Sequence, residues 1–297
     1  MINPHPGLPE FEYVRPESLQ AASEFLAAQG KGARPFSGGT DCFVRLRDGV
    51  LKVNYLVDVK RLDGTQAITF DSKTGLTVGA AVPMNRVAVH PETRARYPLL
   101  VDAVNSVASY QLRNRATIVG NICNASPAGD TIGACLALGG VLNVHGVAGF
   151  RRIPLAAFFT GPGKTVLQAG DIVVSINLPV PPPGLVGVYR KLGRNTISDL
   201  AIVGVTAVGY PSPDTASGYA FKVVLASVAP VPFEATRAAD ALARQRISPA
   251  VIDEAAQAAM DSVKPIDDVR GSARYRQYMV RNMTREALTE VWTRLAH

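Results

Sequence analysis

The sequence holds little of what several function classes require. Cysteine occurs three times in 297 residues, as Cys42, Cys123 and Cys135, an odd and widely spaced set that fits no metal-ligand pattern such as paired C-x-x-C. The three read as small buried residues of a reducing cytoplasm. Histidine occurs four times without an H-E-x-x-H pair, and no G-x-S-x-G elbow is present, so the commoner hydrolase signatures fail. No apolar run approaches the roughly 20 residues of a membrane span. Met1–Glu10 carries three prolines and no hydrophobic signal core, so export is not expected and a cytoplasmic location is. Positive charge is in modest excess, 31 Lys and Arg against 24 Asp and Glu for a net +7. The basic residues are scattered, and pairs such as Arg151-Arg152 and Arg190-Lys191 are too short to track a phosphate backbone, which argues against nucleic acid as a partner.

What is present is a folding composition, 47% hydrophobic and 19% charged, at a length that suggests two or three compact modules of about 150 residues or fewer. A short strand at Phe11–Val14 precedes a helix opened by Pro16 and closed by Gly30, with Leu19, Ala22, Phe25 and Leu26 on one face. An apolar run from Leu51 to Val59 follows as a strand ending at Asp58. From Ile68 the pattern turns to hairpins, with Ile68 and Phe70 alternating, a turn over Asp71–Gly75, and Leu76 and Val78 resuming. A helix after Pro98 carries Leu100, Val101, Val104 and Val107. A second β-rich stretch runs from Val141 through Phe150 to Ile172 and Leu178, and ends in Pro179-Val180-Pro181-Pro182-Pro183-Gly184, which neither a central strand nor a helix can hold. Beyond this boundary, Leu200–Tyr210 and Tyr219–Val228 read as strands. The remainder is helical, with Ser248 capping a helix that starts at Pro249 and a last helix over Ser272–Leu295.

Nucleotide fingerprints fail on inspection. Gly30-Lys31-Gly32-Ala33-Arg34-Pro35 has Pro at the third Gly of G-x-G-x-x-G and follows a helix, so it is a helix stop. Gly163-Lys164-Thr165 matches the end of a P-loop, yet Phe158 stands where the first Gly belongs.

Two segments carry unusual chemistry. In Phe36-Ser37-Gly38-Gly39-Thr40-Asp41, tandem glycines expose backbone N–H groups beside two hydroxyls, an arrangement that forms a nest for anionic oxygens. The same dipeptide also suits an ordinary tight turn. Thr117-Ile118-Val119-Gly120-Asn121-Ile122-Cys123-Asn124-Ala125-Ser126-Pro127-Ala128-Gly129-Asp130 packs a hydroxyl, a Gly, two amides, a Ser-Pro turn and an acid between apolar residues. Such groups need partners, from a polar ligand or from a hydrogen-bonded loop of their own.

Together the segments resemble the A-G-G-T-D-L and T-x-G-G-N-x-x-x-x-x-P-x-x-D loops of one family, the medium, FAD-binding subunits of the molybdenum hydroxylases, which include carbon monoxide dehydrogenase and xanthine dehydrogenase. Further matches are Phe158–Thr165, Asp171–Ile176, and Tyr189-Arg190-Lys191 with Asp199. The fold implied is α+β. A two-lobed FAD-binding region of the vanillyl-alcohol-oxidase (PCMH) type spans residues 1–60 and 61–180, followed by a small α+β C-terminal domain over 184–297. By resemblance, Pro35, Phe36, Ser37, Gly38, Gly39, Thr40 and Asp41, with Thr117, Val119, Gly120 and Asn121, hold the pyrophosphate and ribitol. Asn124, Ser126 and Asp130 complete the second loop, and Val107 joins the cofactor-binding set. Val173 and Lys191 lie near the isoalloxazine, with Arg190 in place of Lys191 under a one-residue shift. A cation there favours the anionic reduced flavin.

Val119 departs from the family's first Gly and requires negative φ at that position. The first loop lacks the His of covalent flavoproteins, so the FAD is expected to be noncovalent. No cysteine-rich insertion is present for a cluster in this chain. The resemblance implies an electron-transfer role: a molybdenum cofactor in a large partner subunit, [2Fe-2S] clusters in a small one, a dimer of heterotrimers, and FAD passing electrons to an acceptor such as quinone or NAD. The competing reading is a stand-alone flavin reductase of the type acting on UDP-N-acetylenolpyruvoylglucosamine, whose P-G-x-x-G-G loop is missing here.

Overall fold

The computed structural model describes residues 7–195 and 198–297. The first six residues of the segment read for a signal core lie outside the described residues. Three larger sheets, each with its own helices, and a two-stranded ribbon of Phe159–Gly161 with Lys164–Thr165 build the described residues. The first has three parallel strands, with Tyr55–Asp58 between Glu12–Val14 and Ala33–Phe36. Helices Leu19–Gln29 and Thr40–Arg47 belong to this unit. The leading helix starts later than Pro16, because the Ser18 hydroxyl accepts from the Ala21 amide and supplies the cap. The run from Leu51 contributes only Tyr55–Asp58 as strand.

The second sheet is antiparallel, in the spatial order Ile68–Asp71, Gly75–Gly79, Ile172–Leu178, Val141–Gly146, Gly149–Pro154. Its last strand in sequence is thus its centre, and all seven residues of Ile172–Leu178 are buried. Helices Met84–Val89, Pro91–Arg96, Pro98–Asn105, Ile118–Asn124 and Asp130–Ala137 accompany it. Val107 falls beyond the Pro98–Asn105 helix. Tyr97 closes this unit: fully buried, its hydroxyl accepts from the Leu76 amide at 3.1 Å and reaches the Leu178 and Pro179 carbonyls at 3.2 and 3.1 Å. That contact fixes where the chain leaves the sheet for the proline run. Ser23 on the first unit's helix meets His145 Nδ1 at 2.9 Å and joins the two lobes.

The third sheet is an antiparallel meander of Val186–Leu192, Val203–Pro211, Tyr219–Ala226 and Phe233–Glu234. The two long strands overlap the stretches read from sequence: the first starts three residues later and ends one later, and the second ends two earlier. Helix Ala273–Leu295, with Ser272 as its cap, packs on this sheet along with Thr236–Ala243, while Pro249–Asp261 packs against both. Helix Asp130–Ala137 also packs against it. Helices of two regions therefore cover the sheet, and the first seven residues of Val203–Pro211 are buried. The main core extends across the boundary, since Tyr189, Val208 and Val224 cluster with Leu76, Leu100 and Ile132. Cys135 is buried in that core, whereas Cys42 and Cys123 keep partial exposure. Burial pushes the Cys123 and Cys135 thiols up to about 12.

Candidate functional site

The first glycine segment is the hinge between a strand and a helix. Pro35 and Phe36 end the strand Ala33–Phe36, and Gly39, at φ +78°, turns the chain into helix Thr40–Arg47. No side chain caps that helix, so its first-turn amides stay open with the positive end of the helix dipole behind them. Thr40 and Asp41 stand in this first turn. Both glycines are required by the protein itself. A Cβ on Gly38 would run into the Arg115 carbonyl, and one on Gly39 would lie 2.7 Å from the Phe36 ring. The obstacle to a side chain is therefore neighbouring protein, before any ligand is considered. Ser37 Oγ donates to the Ala80 carbonyl at 3.0 Å, which pins the segment to the Gly79–Pro83 turn.

The second segment is mostly helical, not a loop. Thr117 pairs with Pro83 in a single bridge, and its Oγ1 accepts from the Gly120 amide at 2.9 Å to cap helix Ile118–Asn124. Val119 sits inside that helix with its side chain buried, so the expected negative φ is what helical geometry supplies, and Gly120 is left on the surface. The chain then turns through Ala125 in the left-handed region, and Ser126 Oγ accepts from the Ala128 amide before helix Asp130–Ala137 begins. Asn121 Oδ1 accepts from Thr131 at 2.7 Å. Arg45 donates to Asn124 Oδ1 at 3.4 Å and ties the first segment's helix to the second's. The Gly38–Arg115 contact and the Arg45–Asn124 bond thus bring together two segments separated by about 80 residues.

Asp130 is the most constrained charge in the region. Tyr189 donates to one carboxylate oxygen at 2.7 Å and Lys191 Nζ to the other at 2.8 Å, while Lys191 also donates to the Ser106 carbonyl at 3.0 Å. Burial pushes the Asp130 carboxyl up, and the Lys191 charge with the two hydrogen bonds pulls against it. Burial, then the Asp130 charge, raises the Tyr189 phenol well above its ordinary range, so it acts as a donor. Strand alternation separates the two basic neighbours: Lys191 faces Asp130 with Tyr189, and Arg190 points the other way to an ion pair with Glu290.

Val107 is adjacent to this cluster, its carbonyl accepting from Arg113 at 2.7 Å. Val173 belongs to the central strand opposite Val144 with its side chain in the core. The carbonyl of its neighbour Val174 accepts from the Ala80 amide, and the carbonyl of that same Ala80 accepts from Ser37. Val173 is thus tied to the first segment and Lys191 to the second.

Sequence reasoning missed Arg45, Ser106, Arg113 and Arg115: Arg45 contributes through a side-chain bond across 79 residues, and the others through backbone groups or across a turn, none of which a local pattern announces. Tyr189 was legible, since i and i+2 on a strand share a face with Lys191. Four non-glycine residues among those described have positive φ, and Ala108, Ala125 and Ser227 of these border the same region. An uncapped helix start beside glycine backbone suits an anionic group such as a diphosphate. The described residues contain no group of three or more His, Cys, Asp or Glu that could hold a metal ion, and no helix long and apolar enough to cross a membrane.

Comparison with known proteins identifies the family. Residues 9–181 match the family described as FAD binding domain in molybdopterin dehydrogenase, and residues 187–291 match the CO dehydrogenase flavoprotein C-terminal domain. The chain is 30% identical over 288 residues to the carbon monoxide dehydrogenase medium chain of Hydrogenophaga pseudoflava, covering 97% of this chain and 99% of that one. It is also 30% identical over 284 residues to the glyceraldehyde dehydrogenase medium chain of Sulfolobus acidocaldarius, covering 95% and 99%. A solved structure of the Hydrogenophaga pseudoflava carbon monoxide dehydrogenase, in a form lacking the Mo-pyranopterin moiety of its cofactor, superposes with a TM-score of 0.91 at 31% identity, over 96% of this chain and 98% of that one. The chain belongs to the family of FAD-binding medium subunits of the molybdenum hydroxylases.

Proposed function

We propose that this chain is the electron-transfer subunit of a molybdenum hydroxylase complex, binding one FAD noncovalently at its two segments. The observation that carries the reading is the locking of Ser37–Asp41 against Arg115–Asn124, which sets an uncapped helix start beside glycine backbone. Ser37, Gly38, Gly39, Thr40 and Asp41, following Pro35 and Phe36, would face the diphosphate. Thr117, Val119, Gly120, Asn121, Asn124 and Ser126 would form the opposite wall. Val173, by way of the first segment, and Lys191, Asp130 and Val107, by way of the second, would flank the flavin. The lobes would divide near residue 60 and the C-terminal domain would begin after the proline run, at about 184.

When bound, FAD supplies conversion between single-electron and paired-electron transfer. The chain's residues hold it and leave substrate chemistry elsewhere. Tyr189 and Lys191 fix Asp130, so that wall keeps one geometry while exposed Gly120 allows close approach of a ligand. Relatives with equal identity to this chain are named for carbon monoxide and for glyceraldehyde. That supports a substrate chosen in another subunit, a large one carrying the molybdenum cofactor, with a small [2Fe-2S] subunit as electron donor and a dimer of heterotrimers as the assembly. Quinone or NAD would serve as acceptor.

The test is dye reduction by the purified chain with carbon monoxide, xanthine and aldehydes, before and after the partner subunits are added. Activity is expected only in the complex. Turnover by the isolated chain at a comparable rate would refute the electron-transfer role.

A further inference from the structure

Arg276 is the largest of the fully buried side chains among the described residues, 1% exposed. It lies in the first turns of helix Ala273–Leu295, where the helix dipole disfavours a cation. Backbone and carboxylate acceptors hold it there. Nη1 donates to the carbonyls of Ser227 at 2.9 Å and Ile202 at 3.3 Å, and Nη2 donates to Asp268 Oδ1 at 2.5 Å. Arg270 grips the other Asp268 oxygen at 2.7 Å and the Ala201 carbonyl at 3.2 Å.

These carbonyls mark one end of the C-terminal sheet. Ala201 and Ile202 lead into Val203–Pro211, and Ser227 follows Tyr219–Ala226. At this end Gly204 pairs with both Lys191 and Ala226. Two bonds leave it for the second flavin segment: Lys191 Nζ to Asp130, and the Ser227 amide to the Pro127 carbonyl at 2.8 Å. Ser227 makes its bond from φ +66°, a conformation a serine keeps only under constraint. Its Oγ and Arg276 Nε are both buried without a hydrogen-bond partner, so local satisfaction has been given up for this geometry.

We propose that Arg276 is a positioning residue for the flavin. By holding the Ser227 carbonyl it keeps the left-handed turn that aims the Ser227 amide at Pro127, and this seats the Ser126–Asp130 turn. The inference rests on the reading that this turn borders the FAD. Its acceptors explain how an arginine can be buried here, and the bond from Ser227 to Pro127 carries its effect to the site.

The experiment titrates FAD into the full-length apo chain, following flavin fluorescence, and measures hydrogen exchange of residues 125–131 by mass spectrometry. Variants are Arg276→Lys, Arg276→Met and, as a control in the same helix, Leu288→Ala, which removes a fully buried core side chain. The Arg276 variants should weaken FAD binding about tenfold or more, a change of about 1.4 kcal/mol, with Lys milder than Met, and should speed exchange at 125–131. Leu288→Ala should lower Tm as much while changing FAD affinity less than twofold. Equal FAD weakening by all three at matched loss of Tm, or unchanged exchange at 125–131, would overturn the proposal. Arg276→Lys decides alone should Arg276→Met not fold. Asn121→Ala tests the reading beneath: unaltered FAD affinity there would remove the flavin assignment of the second segment itself.

Discussion

Gly38 shows how one missing side chain serves two segments at once. Its Cα faces the Arg115 carbonyl so closely that a methyl group cannot be accommodated without moving backbone. Gly38→Ala is therefore expected to push the glycine turn away from the second segment, weakening FAD binding at least tenfold and costing about 1–3 kcal/mol of stability. A flavin titration and a thermal melt measure the two effects, and a wild-type flavin affinity would contradict the coupling. Gly39→Val would act differently, through φ +78° and the Phe36 ring, so its effect begins with the fold of the turn. Absence also matters at this scale. The first segment offers no histidine, so acid precipitation of the loaded chain should release yellow FAD to the supernatant. Colour left in the pellet would show a covalent link elsewhere.

Among the elements, the start of helix Ala273–Leu295 carries a pH signature. Hydrogen bonds from Arg270, joined by the Arg276 guanidinium and opposed by burial, hold the Asp268 carboxyl well below the usual carboxylate range. Its folded pKa is depressed below an unfolded value of about 3.9. The stabilisation is therefore complete above about pH 5 and fades as pH falls through the folded value. Asp268→Asn should cost about 1–3 kcal/mol at pH 7 by leaving Arg276 without its carboxylate. Denaturant curves should show the gap from wild type constant from about pH 5 to 8 and narrowing below about pH 4; a gap that widened in acid would reverse the sign.

Helix Asp130–Ala137 makes a second case, since a Cβ on Gly133 would lie 2.5 Å from the Thr206 hydroxyl. Gly133→Ala should destabilise the wild type by about 1–3 kcal/mol through overpacking, yet stabilise the Thr206→Ala background, where helix propensity of roughly 1 kcal/mol is left to act. Additive effects in that double-mutant cycle would exclude the contact. Elements of this kind differ in how far the sequence announces them. Ser248-Pro249 and Ser272 were legible as helix starts because capping is local chemistry. The Thr117–Asp130 segment read as a loop because its Gly, Asn and Ser residues resist helix, and packing of Ile118, Val119 and Ile122 overrides that preference. Lys191 and Asp130 were legible separately from the family motifs. Their pairing was not, because it joins a helix start to a strand 61 residues further along the chain.

Across the whole molecule, the core that joins Leu100 and Ile132 to Val208 and Val224 ignores the proline run between the domains. Calorimetry should accordingly show a single unfolding transition, moved upward as a unit by saturating FAD, by about 2.7 kcal/mol at a hundredfold excess over Kd. Two separable transitions, only one of them responsive to FAD, would mean that the shared core does not couple the halves. The ion pair of Asp130 and Lys191 has a consequence for recombination between relatives. One partner belongs to the flavin-binding region and the other to the C-terminal domain, and both are largely withdrawn from water. A hybrid spliced at residues 179–184 that brought a neutral side chain opposite either charge would strand the other, at about 3–5 kcal/mol, a large share of the roughly 5–15 kcal/mol that holds a typical domain folded. Exchange of halves between lineages would thus be filtered at this seam, and only halves matched at these two positions would recombine without loss, whatever the linker that joins them.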